Sequence, residues 1–180
     1  SAEKIKAANL VAVPGCYPTA SILGLLPVIP HLQKNSKIIL DAKSGISGAG
    51  KSSVENGLEE DIKENFKSYN VGFHRHQPEI KDFLKMEFNL EHEIIFIPHL
   101  LPLFRGEYVT LYCEVSQNDL DLNELYESYY EKHKLVRVKE KGEIAEIKEV
   151  INTFYCDISV SYAFQSNTIV VNSAIDNLLK

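Results

Sequence analysis

The chain has 180 residues, a formal net charge of −6, 44% hydrophobic residues and 24% charged residues. This length and composition are typical of one globular domain with a sizeable core and exclude a disordered or fibrous protein. The 19 lysines and arginines are dispersed among 25 acidic residues without forming a basic stripe, which disfavours nucleic acid as a partner. The most apolar stretch, residues 20–32, contains two prolines and is shorter than the roughly 20 residues that cross a bilayer, so we predict no membrane span.

Turn residues and apolar patterns predict the elements of the first half of the chain. A short buried helix follows Cys16, because Pro18 suits the first turn of a helix and Pro27 ends or kinks it. The other elements predicted here are, in chain order, a strand over residues 37–42, a polar helix over 55–66, a strand over 69–75 and a helix opening at 78–80.

The second half of the chain is rich in strands. They are predicted over residues 93–97, 107–115, 152–164 and 168–174, with one helix over 121–133. Strands come in neighbouring pairs and do not alternate strictly with helices. The sequence therefore predicts a single domain over residues 1–180 with an α+β fold and a mixed, largely antiparallel sheet.

The cysteines indicate a reducing compartment. Cys16, Cys113 and Cys156 are odd in number and far apart, which fits neither a disulfide framework nor paired zinc ligands. We therefore expect a cytoplasmic location. The chain also begins Ser-Ala without an initiator Met, which is consistent with a cut edge of a longer protein.

A Walker A pattern spans residues 45–52 and follows a predicted strand. In such a loop, backbone N–H groups cradle phosphate and a lysine, here Lys51, contacts the terminal phosphates. The next segment, residues 53–61, is acidic and contains Gly57, which is poorly suited to a buried helix. A P-loop nucleotide-binding protein is thus the alternative function. The preferred interpretation is a Gly-rich turn that approaches a smaller anion or simply makes a tight connection.

Cys16 is a candidate nucleophile. Gly15 before it and Pro18 after it place the cysteine at the start of a helix. At a helix N-terminus the free N–H groups and the dipole stabilise thiolate, so we predict a thiol pKa below its usual value of about 8.5. Cys113 and Cys156 lie on predicted strands and are assigned to the core.

Two histidines and an acid form a candidate acid–base group. His74 and His76 share one face if the strand over 69–75 persists, and Glu79 could orient one imidazole as an acid does in catalytic triads. Zinc bound by both histidines with Cys16 or His99 is an alternative, but the spacing matches no known zinc pattern and we predict no metal.

One of the three arginines occupies a shaped loop. Arg105 is followed by Gly106 and preceded by a segment with Pro98 and Pro102. A guanidinium matches carboxylate or phosphate in a bidentate manner, so Arg105 is predicted to bind an anion.

Five blocks together resemble the N-acetyl-gamma-glutamyl-phosphate reductase family, which is related to aspartate-semialdehyde dehydrogenase and glyceraldehyde-3-phosphate dehydrogenase. They are residues 14–20 (nucleophile motif), 44–50 (Gly/Ser loop), 74–80 (histidine segment), 98–106 (anion loop) and 176–180 (the approach to the final helix). The blocks occur in the family order and span almost the whole chain.

The resemblance implies the chemistry. Cys16 would attack an acyl phosphate, N-acetylglutamyl 5-phosphate, to form a thioester, and hydride from NADPH would then give the semialdehyde. The implied roles are acid–base work for His74 or His76 with Glu79, substrate binding for Arg105, Ser44, Ser47 and Gly48, and cofactor binding for Gly15 and Asn177. A cysteine hydrolase or acyltransferase working without nicotinamide is a weaker alternative.

The resemblance also implies the organisation of the whole enzyme. The chain would be the substrate-binding, catalytic and dimerisation domain, with helices packed on one face of the sheet, and it would form a homodimer or homotetramer through the sheet. The family's N-terminal Rossmann domain for NADP has no counterpart before Cys16. We therefore expect this chain alone to lack NADPH-dependent activity.

Overall fold

A single seven-stranded sheet organises the chain. The structure, a computed structural model, describes residues 2–50, 57–164 and 166–180. The strands are β1 Lys37–Ser44, β2 Lys67–Ser68, β3 Glu93–Leu100, β4 Glu107–Glu114, β5 Val136–Val138, β6 Cys156–Tyr162 and β7 Thr168–Ile175. Their order is β2-β3-β1-β4-β7-β6-β5. Only the pairs β1–β3 and β5–β6 are parallel among the described strands, so the predicted α+β fold with a largely antiparallel sheet is confirmed.

Six α-helices and two 3-10 helices accompany the sheet in the described residues. They are α1 Ala2–Ala7, α2 Cys16–Leu25, α3 Glu59–Ile62, α4 His76–Phe88, α5 Leu122–Tyr130 and α6 Ile147–Val150, with 3-10 helices at Leu26–His31 and Ile46–Ala49. Pro27 stands where α2 gives way to the first 3-10 helix, as predicted. The carboxylate of Asp121 caps α5 by accepting a hydrogen bond from the Glu124 N–H at 3.2 Å. Of the helices described, none has both the length and the apolar character needed to cross a membrane.

Left-handed backbone residues explain three wrong boundaries. The strand predicted over 69–75 is replaced by turns after the two-residue β2, because Asn70 and Gly72 have φ of 48° and 84°. The helix predicted over 55–66 is reduced to α3, with Glu64 at φ 57°, and its residues 55 and 56 lie outside the described residues. The strand predicted over 152–164 starts only at Cys156, since Asn152 has φ 62° and belongs to a turn.

The core lies between the inner face of the sheet and α2. Alternate residues of the two central strands are buried on this face: Ile38, Leu40 and Ala42 on β1, and Val109, Leu111 and Cys113 on β4. Helix α2 crosses β4 at close range, because a Cβ added to Gly24 would lie 2.7 Å from Leu111 Cδ1. The hydroxyls of Tyr126 and Tyr130 on α5 donate to the carbonyls of Gly24 and Leu23, so α5 holds the end of α2 in place.

Replacing Leu40 by Ala should destabilise the fold by about 2–5 kcal/mol, because it leaves a cavity at a fully buried position. Leu10 is 90% exposed and serves as the matched control for the same change. Urea unfolding followed by circular dichroism should show a clearly smaller loss for Leu10→Ala. Equal losses at both positions would contradict the burial of Leu40 on the inner face.

Candidate active site

The start of α2 is tied to the start of α4. Cys16 is the first residue of α2 and is 9% exposed. The backbone N–H of Gly15, just before it, donates to Glu79 Oε1 on α4 at 3.0 Å. The Gly15 carbonyl accepts from the backbone N–H and the hydroxyl of Thr19, at 3.0 and 2.8 Å. These bonds fix Cys16 beside the histidine segment, and they give Glu79 a backbone partner on the nucleophile's helix.

Both predicted histidines lie close to this helix start. The His76 ring packs on Gly15 so closely that a Cβ there would lie 2.4 Å from His76 Nε2. His74 Nδ1 accepts a hydrogen bond from the His76 backbone N–H at 3.2 Å, so the proton of neutral His74 resides on Nε2. The predicted shared strand face is wrong, since His74 lies in a turn and His76 begins α4. A turn followed by a helix brings the two rings within 4.9 Å of each other, measured between centroids.

Burial keeps both imidazoles neutral. It lowers the pKa of His74, and the positive charge of Arg75 lowers it further. The pKa of His76 is lowered to about 4, first by burial and then by repulsion from the protonated form of His74 and from the charges of Arg75 and Lys180. A neutral imidazole can accept a proton, so both rings are in the state that a general base requires.

Two tyrosines that the sequence analysis did not single out support the histidines. The Tyr17 ring meets His74 and His76 edge-on, at centroid distances of 5.7 and 5.9 Å. The Tyr69 hydroxyl donates to the Tyr17 hydroxyl at 3.4 Å, and the Tyr69 ring also contacts His74 at 5.4 Å. Tyr17 follows Cys16 directly, which was the available signal, whereas nothing in the local sequence pointed to Tyr69.

The prediction of a lowered thiol pKa for Cys16 is wrong in this structure. Burial raises the pKa of the Cys16 thiol far above its usual value, and the neighbouring Glu107 carboxylate raises it further. A helix N-terminus still favours thiolate, but its effect is smaller than the cost of charging a buried group next to another acid.

Glu107 is the acidic residue that the sequence analysis missed. It is the first residue of β4 and is fully buried, and burial raises its pKa to about 8. In β4 it lies on the same buried face as Val109 and Leu111. The sequence signal that could have identified it is an acidic residue at a position of a predicted strand where the alternation calls for an apolar one.

The predicted substrate-binding serines gather around Asn177. The Asn177 amide donates to Ser47 Oγ at 3.0 Å and accepts from the Gly106 N–H at 2.8 Å. Gly48 lies against both Ser44 and Asn177, because a Cβ there would be 2.8 Å from Ser44 Oγ and 3.0 Å from Asn177 Nδ2. Asn177 thus links the Gly/Ser loop to the anion loop through its side chain.

Two side chains of the same domain bind one nitrogen of the Arg105 guanidinium. Its Nη1 donates to Asn152 Oδ1 and lies 3.5 Å from Asp176 Oδ2. Its Nε is buried and has no hydrogen-bond partner within the described residues. Arg105 is therefore anchored beside the anion loop with an unused donor.

The Gly/Ser loop does not present a phosphate cradle. The N–H groups of Gly45, Ile46 and Ser47 donate to carbonyls of residues 106, 103 and 104, at 2.8, 2.9 and 2.9 Å. A P-loop needs such groups free to bind phosphate. Lys51 and Ser52, which complete the Walker A pattern, lie outside the described residues.

An open cleft lies beside the histidines and the Gly/Ser loop. It has a volume of about 610 Å³, and its lining includes Gly48, Tyr69, His74 and Arg75. Across the parts of the chain that the structure describes, no group of three or more His, Cys, Asp and Glu side chains is arranged to hold a metal ion. Of the predicted catalytic residues, His74 lines this cleft, while the Cys16 thiol and the His76 ring are buried behind it.

Comparison with known proteins identifies the class of this fold and site. The family described as "Semialdehyde dehydrogenase, dimerisation domain" matches residues 16–177, which include every site residue discussed above except Gly15 and Lys180. The chain belongs to this family. A probable aspartate-semialdehyde dehydrogenase from Pseudomonas aeruginosa shares its fold, with a TM-score of 0.76 at 14% identity over 100% of this chain and 62% of that one.

Curated relatives give a finer likeness. The chain is 41% identical to the N-acetyl-gamma-glutamyl-phosphate reductase of Thermoanaerobacter sp. (strain X514), over 99% of this chain and 52% of the relative. It is 43% identical to the enzyme of the same name from Halothermothrix orenii, with the same two coverages. The resemblance inferred from the five sequence blocks is confirmed, and the nucleotide-binding alternative receives no support. The chain spans about half the length of the curated relatives it matches.

Acid should weaken the fold through His76. Its pKa is near 4 in the folded chain and 6.5 in the reference state, so protons bind the unfolded chain more readily and stability should fall between about pH 6.5 and 4. The free energy of unfolding, measured by urea denaturation at a series of pH values, should fall less over this range in His76→Gln than in the wild type. The same substitution at the exposed His133 is the control, and a His76 variant with the wild-type slope would contradict the buried neutral state.

Proposed function

We propose that this chain is the catalytic and dimerisation domain of an NADPH-dependent reductase of arginine biosynthesis. The substrate would be N-acetylglutamyl 5-phosphate and the products N-acetylglutamate 5-semialdehyde and phosphate. The observation that carries the proposal is a cysteine at a helix start beside two neutral imidazoles, in a chain at least 41% identical to the two reductases compared above.

Cys16 performs the covalent step. Its sulfur attacks the acyl carbon, the carbon–oxygen bond to the phosphate breaks, and phosphate leaves with the electron pair. The product is a thioester on Cys16. Cys16 belongs to helix α2, and the N–H of its neighbour Gly15 is hydrogen-bonded to Glu79 on α4. The sulfur therefore has a fixed position when the acyl phosphate binds.

His76 handles protons at the substrate oxygen. Its Nε2 faces Gly15, next to the nucleophile, and its neutral state allows it to accept or return a proton. His74 contacts the backbone N–H of His76 and the Tyr17 ring, and it lines the cleft. Glu79 supports this arrangement through Gly15, so its role is to position the helix start.

The anionic groups of the substrate bind at the Gly/Ser loop and the anion loop. Arg105 offers donors that Asp176 and Asn152 leave free, including the buried Nε–H. Ser44, Ser47 and Gly48 lie together at the edge of the sheet where β1 ends, with Gly48 lining the cleft. A carboxylate or phosphate held there would be neutralised by Arg105.

NADPH supplies a hydride when it is bound. Gly15 and Asn177, the residues assigned to the cofactor, already use their polar groups within the chain: Gly15 donates to Glu79, and Asn177 bonds Ser47 and Gly106. These two residues alone do not form a cofactor cradle. We assign the remaining cofactor-binding groups to the N-terminal domain that the family resemblance implies.

The outer face of the sheet is the proposed contact with a second copy. Several of its half-buried positions carry apolar or aromatic side chains, namely Ile39, Ile95, Ile97, Tyr108, Tyr112 and Val170, beside polar ones at Asp41, Lys43, His99 and Asn172. The matched family is described as a dimerisation domain. A homodimer or homotetramer built through this face, in the cytoplasm, is the assembly that we propose.

Acyl transfer to Cys16 can be tested without the cofactor. Incubating the chain with N-acetylglutamyl 5-phosphate should release phosphate and leave one hydroxylamine-sensitive adduct on Cys16, read by peptide mass spectrometry. Cys16→Ser should abolish the adduct, while the buried Cys113 and Cys156 stay unmodified in both proteins. A folded wild-type chain that releases no phosphate and carries no adduct would refute the proposal.

The reductase half of the reaction should be missing from this chain. No oxidation of NADPH is expected with the same substrate, because most of the cofactor's binding groups lie in another domain. Absorbance of the reduced nicotinamide is the measurement. Turnover at a rate normal for such enzymes, roughly 1–10³ per second, would overturn this expectation.

A further inference from the structure

We propose that Arg75 binds the phosphate group of the substrate in the open cleft beside the histidines, an assignment that rests on the proposed function. None of the roles described above uses this arginine, although it stands between His74 and His76 in the chain. The two anionic groups of the substrate are thereby divided between two arginines, with Arg105 binding the carboxylate.

Arg75 is an exposed arginine whose charge is not compensated. Its guanidinium forms no hydrogen bond or ion pair with the residues that the structure describes. The other two arginines are paired, Arg105 with Asp176 and Arg137 with Asp157. A guanidinium keeps its charge and presents a planar fork of N–H donors that matches phosphate, so all the donors of Arg75 are available to a ligand.

The cleft that Arg75 lines is bordered by further unused donors. His74 lines the same cleft and accepts the His76 N–H at Nδ1, so its neutral ring carries the proton on Nε2. That Nε2–H group donates to no acceptor among the described residues. The side-chain amide of Asn70, another lining residue, is likewise unbonded within this part of the chain. An anion in the cleft can therefore receive hydrogen bonds from several side chains at once.

The lining of the cleft carries a net positive charge. Of the lining residues described, Asp61 is the only acid, and its Oδ2 is 2.5 Å from the Lys67 ammonium, which compensates it. Arg75 then remains as the uncompensated charge. The volume of about 610 Å³ is within the range of small-molecule sites. The cleft thus suits a small ligand that carries an anionic group.

The phosphate is the anionic group of the substrate that must lie nearest the nucleophile. One oxygen joins it to the acyl carbon that Cys16 attacks, whereas the carboxylate is separated from that carbon by the aliphatic part of the substrate. The histidine segment lies at the nucleophile, because the His76 ring packs on Gly15. The charge of Arg75 lowers the pKa of both His74 and His76, so the guanidinium is within electrostatic reach of both rings. An anion bound by Arg75 is therefore close to the reacting carbon.

Charge also favours phosphate at Arg75 over phosphate at Arg105. A phosphate group carries more negative charge than a carboxylate. Arg105 lies 3.5 Å from the buried Asp176 carboxylate, which already compensates part of its charge. The more strongly charged group is therefore assigned to the unpaired arginine and the carboxylate to the paired one.

Arg75 stabilises the leaving group. When the sulfur of Cys16 bonds to the acyl carbon, the carbon–oxygen bond to the phosphate breaks and the phosphate keeps the electron pair. The leaving oxygen gains negative charge in this step, and a guanidinium placed beside it stabilises that charge. Arg75 neither gives nor takes a proton, because its side chain stays charged throughout.

Binding of inorganic phosphate to the 180-residue chain tests the assignment. The NMR signals of the His74 ring should shift in a saturable manner as phosphate is added. Arg75→Gln removes the charge at an exposed position, so the dissociation constant of phosphate should rise at least about tenfold. Arg75→Lys keeps the charge without the fork and should retain part of the affinity. A wild-type chain with no saturable shift, or unchanged affinity in Arg75→Gln, overturns the assignment.

Lys81→Gln is the matched control. Lys81 is an exposed cation that lines, together with Arg75, a smaller cleft of about 340 Å³, and it does not line the larger one. Phosphate affinity should be unchanged in this variant. An equal loss of affinity in Lys81→Gln and Arg75→Gln would place the anion in the smaller cleft and overturn the proposed site.

N-acetylglutamine separates the carboxylate from the phosphate. This compound has the carboxylate of the proposed substrate and a neutral amide in place of the acyl phosphate. Its affinity should fall in Arg105→Gln and stay unchanged in Arg75→Gln. Weaker binding of N-acetylglutamine to Arg75→Gln, with phosphate binding unchanged, would assign Arg75 to the carboxylate and overturn the proposal.

Acylation of Cys16 by the acyl phosphate distinguishes this assignment from the proposed function. Phosphate binding that depends on Arg75, without any acylation of Cys16, would keep the anion site and remove the proposed substrate. Equal acylation rates in the wild type and Arg75→Gln, with unchanged phosphate binding, would keep the proposed function and remove the role of Arg75.

Discussion

The close crossing of α2 over β4 is the contact on which the position of Cys16, the candidate nucleophile, depends. It is possible because Gly24 has no side chain where Leu111 approaches, so helix and strand lie nearer than two larger residues would allow. With α5 holding the end of α2 through two tyrosine hydroxyls, the helix cannot slide along the sheet. Its first residue, Cys16, is consequently held at the end of the inner face where Glu107 lies.

The same crossing explains why a helix start does not by itself make a reactive thiol here. Charges near a helix terminus typically gain 0.3–1 kcal/mol from the dipole, which is less than about one pKa unit. Burial can shift a pKa by up to 3–5 units in the opposite direction, and a neighbouring acid adds to it. Cys16 experiences both, so its activation requires a proton acceptor and cannot rely on the dipole.

Residues near the end of the chain connect the two loops of the site. Asn177 bonds the Gly/Ser loop to the Gly106 N–H, while the buried Asp176 holds Arg105 and the Asn152 N–H. Gly106 must be glycine, because its φ is +105° and an added Cβ would lie 2.2 Å from Ile147. The anion loop therefore depends on contacts from α6 and from the segment after β7, both distant in sequence.

Local patterns were sufficient for much of the fold and for choosing candidate site residues. Runs of β-branched and aromatic residues marked β1, β3, β4 and β7, Pro18 and Pro27 bounded α2, and ordered motifs nominated Cys16, His74, His76 and Arg105. Asn70 and Gly72 in left-handed turns ended the predicted strand early, because backbone dihedrals at such residues are set by the surrounding packing.

The tertiary structure decided the protonation states and the hydrogen-bond partners of the site residues. In the sequence, Glu107 is only the first residue of a predicted strand. In the fold, the packing of α2 brings it near Cys16 and buries both side chains away from water. Tyr69, Asp176 and Asn177 likewise gained their roles from contacts across the chain. Residue types and spacings determine which chemical groups are present, whereas their protonation depends on burial and on neighbours that only the folded chain brings together.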